Sequence, residues 1–234
     1  MKSDMAKLQP SLVLYSGGQN QTNAVLHREL VKMARRSARE RKRGPIRLTY
    51  IPFCADGSIT YFMRSVKRYA RFGVEEFCCL VADEKPTRAQ IKEAFDADII
   101  YLAGGNTFYF LKVLRESGLL PRLKEYALSG GILAGLSAGA HILSPHIGLA
   151  GAPGLDPDEN DVGLTNLKGL GLVPFEVLPH FEPSRRYVKS IREYSSQSEY
   201  PIFACPDGTG LIIDQGVTRV IGKGIQLYCD GIQL

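Results

Sequence analysis

The chain has no unbroken apolar run of the roughly 18 to 20 residues that a bilayer-spanning helix requires. Its N-terminal stretch MKSDMAKLQPSLVLYSGG also lacks the basic, apolar and small-residue order of a secretory leader. A cytoplasmic protein that engages no membrane is therefore expected. The five cysteines, Cys54, Cys78, Cys79, Cys205 and Cys229, are odd in number and contain no CxxC pair. That pattern argues against a disulfide framework and for reduced core residues. Histidine is scarce, at four residues, and none stands in an HExxH pattern, so no structural or catalytic metal is expected. The first strand is followed by SGGQN and not GxGxxG, which leaves a dinucleotide cofactor without support. Asp156, Asp158 and Asn160 have the spacing that opens a calcium loop, but Asp161 stands where that loop needs glycine and Leu167 where it needs glutamate. Internal repeats and low-complexity tracts are absent as well.

What is present is ordinary for a globular protein: 234 residues, 44% hydrophobic and 23% charged, read as one domain over residues 1–234. The net charge of +5 is largely local. Arg35, Arg36, Arg39, Arg41, Lys42 and Arg43 crowd into RRSARERKRG without the aromatic or base-reading neighbours of a nucleic-acid site. A solvated helix end whose cations suit the C-terminal dipole is the expected role, with no nucleic-acid partner.

Apolar runs and helical spacings alternate along the chain. SLVLYSG, IRLTYIPF, EEFCCLVA, ADIIYLAGG and GGILAGLS read as strands. Between them, residues 22–42, 60–72, 87–95, 107–118 and a shorter stretch after Pro121 read as helices. This succession implies right-handed crossovers and a doubly wound, mostly parallel α/β sheet covered on both faces. Residues 145–163, rich in Gly, Pro and Asp, read as a long loop of the kind that often carries function. VPFEVLPHF then returns as a strand, SRRYVKSIREYSSQ as a helix, and the C-terminal part as short strands and turns.

The stretch ILAGLSAGAHIL places Ser137 between Gly135 and Gly139 where a strand becomes a helix. In Gly-x-Ser-x-Gly the serine occupies a cramped turn that tolerates only small neighbours, and the helix behind it aims amides at the same spot. A hydroxyl is a poor nucleophile without a base. Of the four histidines, His27 falls inside the first helix, His141 follows Ser137 in its own helix, and His146 lies in the loop beyond. His180 ends a strand, at the edge where parallel sheets collect reactive groups. Asp207, after the strand PIFAC, is the candidate to hold the imidazole. Gly104 and Gly105 follow another strand and allow a backbone amide to approach a substrate oxygen, so the amides of Gly105 and Ala138 are the candidate oxyanion donors, while Asn106 and Thr107 can cap the next helix. The chain order Ser, His, Asp differs from the Ser, Asp, His order of ordinary α/β-hydrolases.

Taken together and in this order, IPFC, AGGNTFYFLK, GLSAGA, VLPHF and PIFACPDGTGLII resemble the peptidase E family of serine exopeptidases, the aspartyl dipeptidases, whose relatives include the cyanophycinases. The resemblance implies a fold related to the class I glutamine amidotransferases, a flavodoxin-like three-layer sandwich, with Ser137 as nucleophile and His180 as general base. It departs at Asp207, where the family usually has glutamate. Some descriptions of the family give the third role to an aspartate in the loop after the elbow, for which Asp158 is the nearest counterpart. Asp207 is preferred because a strand-end residue is held more rigidly. Peptidase E cleaves after an N-terminal aspartate, and a guanidinium fork suits that side chain. Arg185, Arg186 and Arg192, with Asn106, are the candidate substrate-binding residues. A short peptide is the expected partner, no cofactor is expected, and a homo-oligomer is left open. Cyanophycin-type β-aspartyl peptides, other short peptides and a non-catalytic binding module on the same fold are the alternatives.

Overall fold

The computed structural model describes residues 9–42 and 44–234. Residues 1–8, which entered the leader argument, and Arg43 of the basic run lie outside the described residues. The elements in chain order are β1 (Ser11–Tyr15), α1 (Ala24–Glu40), β2 (Arg47–Ile51), α2 (Ser58–Ala70), β3 (Glu76–Cys79), α3 (Arg88–Phe95), β4 (Ile99–Leu102), α4 (Thr107–Glu116) and α5 (Leu119–Leu128). They continue as β5 (Ile132–Leu136), α6 (Ala138–Leu143), β6 (Glu176–Leu178), α7 (Arg185–Ser195), β7 (Ile202–Ala204), β8 (Gly210–Asp214), β9 (Val217–Ile221), β10 (Gln226–Cys229) and β11 (Ile232–Gln233).

The first five strands form a parallel sheet in the order β3-β2-β4-β5-β1, and β8 and β9 extend it antiparallel beyond β1. Strand periodicity sorts its side chains into two cores. Along β1, Leu12 and Leu14 join the core under α3 to α6, whereas Val13 and Tyr15 join the core under α1 and α2. Leu12, Leu26 and Leu30 are fully buried, and each such side chain contributes about 2 kcal/mol by leaving water. The result is an α/β three-layer sandwich with a mostly parallel central sheet.

A second, four-stranded sheet in the order β11-β10-β7-β6 was not anticipated from the sequence. Its strands β6 and β7 run parallel with Leu178 opposite Ala204. Under α7, a third core gathers Leu178, Phe181, Tyr187, Ile191, Ile202 and Tyr228. Three helix starts also differ from expectation, α1 beginning two residues late at Ala24. α2 begins at Ser58, two residues early, because Gly57 takes the left-handed φ of 67° that turns the chain into it. α5 begins at Leu119 and carries Pro121 in its first turn, where a missing N–H breaks no helical hydrogen bond.

The basic end of α1 is less freely solvated than expected. Arg35 donates to the carbonyl of Phe72 at 2.7 Å, Arg36 forks onto Asp214, and Arg41 donates to the carbonyl of Gly130. All five cysteines are free thiols.

Candidate active site

The site is assembled at the carboxyl end of β1, between its sheet neighbours β5 and β8. β5 ends at Leu136, and Ser137 opens α6 with φ 51° and ψ −107°, a conformation that L residues rarely adopt. The close approach behind it explains the two glycines. A Cβ on Gly135 would lie 2.5 Å from the backbone of Gly139, and one on Gly139 would lie 2.5 Å from the carbonyl oxygen of Leu102. Serine at a helix start usually accepts a hydrogen bond from the first turn, but the Ser137 side chain makes no such cap. Its hydroxyl instead meets His180 Nε2 at 2.9 Å.

His180 and Asp207 come from the second sheet. The ends of parallel β6 and β7 stay paired beyond the strands, with Cys205 N donating to Leu178 O at 2.8 Å and Phe181 N to Cys205 O at 3.0 Å. His180 therefore stands beside the loop that carries Asp207, and its Nδ1 lies 2.7 Å from Asp207 Oδ1. The two side chains are 51% and 55% exposed, so the site is open to solvent. Hydroxyl, imidazole and carboxylate are thus linked in series. In the tautomer with the proton on Nδ1, that N–H donates to Asp207 and Nε2 accepts from Ser137.

Two residues that sequence reasoning passed over hold this arrangement. Ser16, fully buried, accepts the His180 amide at 2.8 Å and donates its hydroxyl to Cys205 O at 2.7 Å. Gly17 lies so close to the pair that a Cβ there would sit 2.3 Å from both Asp207 Oδ1 and His180 Cε1. The available signal was their position: a small hydroxyl and a glycine directly after the first strand, at the edge where the site forms.

The loop after β4 completes the rim. Gly104 abuts Ser137, since a Cβ there would be 3.4 Å from Ser137 Cβ. Gly105 lies under the Phe53 ring with φ 147°. Among the described residues neither the amide of Gly105 nor that of Ala138 has a backbone acceptor. The amides of Ser137 and Gly139 are occupied by Tyr15 O and Ala103 O.

Other candidates lie elsewhere or are engaged. Asp158 Oδ2 accepts the Thr107 amide at 2.8 Å and so caps α4, while the imidazole faces Asp207. Asn106 spends both ends of its amide on structure, accepting from Tyr109 N and donating to Glu159 O. Arg186 pairs with Asp156 at 2.7 Å, and Asp156 also accepts from the Tyr187 hydroxyl. Arg185 and Arg192 are exposed. Among the described residues no cluster of His, Cys, Asp or Glu has the makings of a metal site. His141, one turn behind Ser137, is buried. Burial and the nearby His180 hold its pKa down at about 3, so it stays neutral.

Comparison with known proteins places these observations. The model of peptidase family S51 matches residues 12–221. An uncharacterized peptidase of Listeria monocytogenes is 39% identical over 109 residues, 45% of this chain and 52% of that protein. Peptidase E of Pasteurella multocida is 31% identical over 150 residues, 59% of this chain and 60% of that protein. These matches span about half the length of the curated relatives. The crystal structure of a peptidase from an acI-B1 Actinobacterium superposes with a TM-score of 0.68 at 19% identity over 97% of both chains. A Listeria monocytogenes EGD-e structure does so with a TM-score of 0.64 at 24% identity, over 94% of this chain and 98% of that one. Both establish a shared fold.

Proposed function

The chain belongs to peptidase family S51, and on that premise we propose that it is a serine exopeptidase that hydrolyses short peptides, preferring those with an N-terminal aspartate. The observation that carries this reading is the continuous contact Ser137 Oγ, His180 Nε2, His180 Nδ1, Asp207 Oδ1, at 2.9 and 2.7 Å.

In this mechanism Ser137 Oγ attacks the scissile carbonyl carbon while its proton passes to His180 Nε2. The positive imidazolium is stabilised by Asp207, which keeps the ring in the working tautomer. Negative charge gathers on the former carbonyl oxygen, where the unoccupied amides of Ala138 and Gly105 donate to it. Collapse breaks the C–N bond, and the proton on Nε2 leaves with the amine. Water, deprotonated by the same nitrogen, then cleaves the acyl-enzyme.

Preference for aspartate is supported by the similarity to peptidase E proteins. The test is hydrolysis of α-aspartyl, β-aspartyl and neutral dipeptides by wild type and Ser137→Ala, with a fluorophosphonate probe as a second readout. Wild type is expected to favour α-aspartyl substrates. The variant is expected to lose labelling and at least about a thousandfold in kcat/KM. Wild-type hydrolysis by Ser137→Ala would refute the nucleophile. Equal rates on neutral dipeptides would refute the specificity alone.

A further inference from the structure

At the end of β6 farthest from His180, Glu176 is 1% exposed. A buried carboxylate ordinarily finds a cation or several donors, because an unpaired charge away from water is costly. Glu176 finds neither. Its Oε1 receives one long hydrogen bond from the Tyr194 hydroxyl at 3.4 Å, and its Oε2 has no hydrogen-bond partner among the described residues. His146 Nδ1 lies 3.9 Å from Oε1, but that nitrogen already accepts the Gly148 amide at 3.1 Å. With that lone pair taken, His146 carries its proton on Nε2 and its Nδ1 gives the carboxylate no donor.

Glu176 lines a cavity of about 410 Å³ together with His146, Tyr194, Ser198, Glu199 and Tyr200, and no lysine or arginine lines it. The wall thus offers two carboxylates and two tyrosines, a residue type whose ring attracts cations. About 13 Å of chain separates Glu176 from His180 at strand rise, so this cavity is distinct from the site described above.

We propose that this cavity binds a compact organic cation, an ammonium or guanidinium group, with Glu176 as its counter-ion. Among the described residues no set of three His, Cys, Asp or Glu side chains gathers as a metal ion would need, which favours a nitrogen-centred cation over a bare ion. The proposal does not depend on the peptidase reading.

A pH signature follows. Burial pushes the Glu176 carboxyl up to about 7, against the opposing pull of the Tyr194 hydroxyl. A cation binds the ionised form, so affinity rises as pH climbs through 7 and levels off above it. The other titratable groups in the cavity are His146, Tyr194, Glu199 and Tyr200, and β7 and α6, which also pack against β6, place no charged side chain there. Burial lowers the basicity of His146 and weakens the acidity of Tyr194, so both stay neutral while Glu176 ionises.

The test is titration of the full chain with n-butylammonium, guanidinium and neutral n-butanol, followed by saturation-transfer NMR and calorimetry at pH 6, 7 and 8. Butylammonium or guanidinium is expected to bind at least about tenfold more tightly than butanol, and about tenfold more tightly at pH 8 than at pH 6. Glu176→Gln is expected to weaken that binding at least about tenfold and to flatten its pH dependence. A capped lysine or arginine peptide that competes with butylammonium assigns the cation to a polypeptide side chain, and one that does not compete assigns it to a free amine. Either outcome supports the site. Equal binding of butanol, undiminished binding by a folded Glu176→Gln, or displacement of butylammonium by equimolar calcium would overturn it. If Glu176→Gln does not fold, Glu199→Gln and the wild-type pH series carry the test, and a flat series overturns the proposal.

Discussion

Replacing Gly17 by alanine isolates the contact between His180 and Asp207 from every other feature of the site. The backbone of Gly17 does not occupy the left-handed region, so alanine fits it without strain. The added methyl, however, would lie 2.3 Å from Asp207 Oδ1, 2.3 Å from His180 Cε1 and 2.5 Å from His180 Nδ1. Non-bonded heavy atoms settle at about 3.5 Å, so the pair must retreat by about 1 Å. A displacement of about 1 Å costs on the order of a hundredfold in rate, and full loss of the orienting carboxylate about ten-thousandfold. The kcat/KM of Gly17→Ala on aspartyl dipeptides is therefore expected to fall by about 10² to 10⁴, with slower fluorophosphonate labelling of Ser137. Both side chains are about half exposed and can swing into water, so urea unfolding should move by no more than about 1 kcal/mol. Gly44→Ala is the control, because a Cβ there meets nothing within 4 Å. Wild-type kcat/KM in Gly17→Ala would refute the reasoning, since the observed imidazole–carboxylate geometry would then not be the working one.

Ser16→Ala leaves the His180 amide and the Cys205 carbonyl without their buried partner, and is expected to lower stability by about 1–3 kcal/mol and kcat more than KM. Gly135→Ala forces a methyl to within 2.5 Å of the Gly139 backbone, and should cost about 1–3 kcal/mol in urea unfolding as the elbow is pushed apart. Stability should also depend on pH through three buried groups. His27 and His141 are held near pKa 3, so the unfolded chain binds more protons below 6.5 and each histidine lowers stability as pH falls from there. Glu176, held at about 7, binds its proton in the folded state and works in the opposite sense between about 4.5 and 7. Between pH 5 and 6 these groups leave a net rise of about 1.4 kcal/mol per pH unit, and Glu176→Gln should roughly double that slope; an unchanged slope would contradict the assignment.

Most of the central sheet was legible because its strands are apolar runs, three of them (β1, β4 and β5) followed within three residues by glycine or serine turns, and its helices carry one apolar face. Ser137 could be read from glycine spacing, His180 by elimination among four histidines, and Asp207 from its place at a strand end. VPFEVLPHF and PIFAC read as strands, but not as members of a second sheet, because the paired parts of β6 and β7 are three residues each and too short to specify a partner. For the same reason nothing in the sequence joined Ser16 to His180, 164 positions away. Asn106 and Arg186 illustrate a different limit. Their types suit substrate recognition, but Asn106 is bonded to Glu159 and the α4 amides, and Arg186 to Asp156. Such engagement depends on a loop whose path composition does not fix.

Ser137 and His180 ride on different sheets, so the 2.9 Å between hydroxyl and imidazole is a property of the joint and not of either strand. Ser137 at φ 51° and His180 at φ 54° both hold left-handed conformations, each costing on the order of 1–3 kcal/mol, and such strain survives only where neighbours over-determine it. For Ser137 the neighbours are the Tyr15 carbonyl, which accepts its amide, and the tight Gly135–Gly139 contact. For His180 they are the Ser16 hydroxyl and the paired ends of β6 and β7. Tyr15 and Ser16 are adjacent, so two consecutive residues at the end of β1, one through its carbonyl and one through its hydroxyl, anchor both strained residues. The placement of a reactive hydroxyl against an imidazole from another sheet therefore reduces to the rigidity of one strand end, buried on both sides and flanked by β5 and β8.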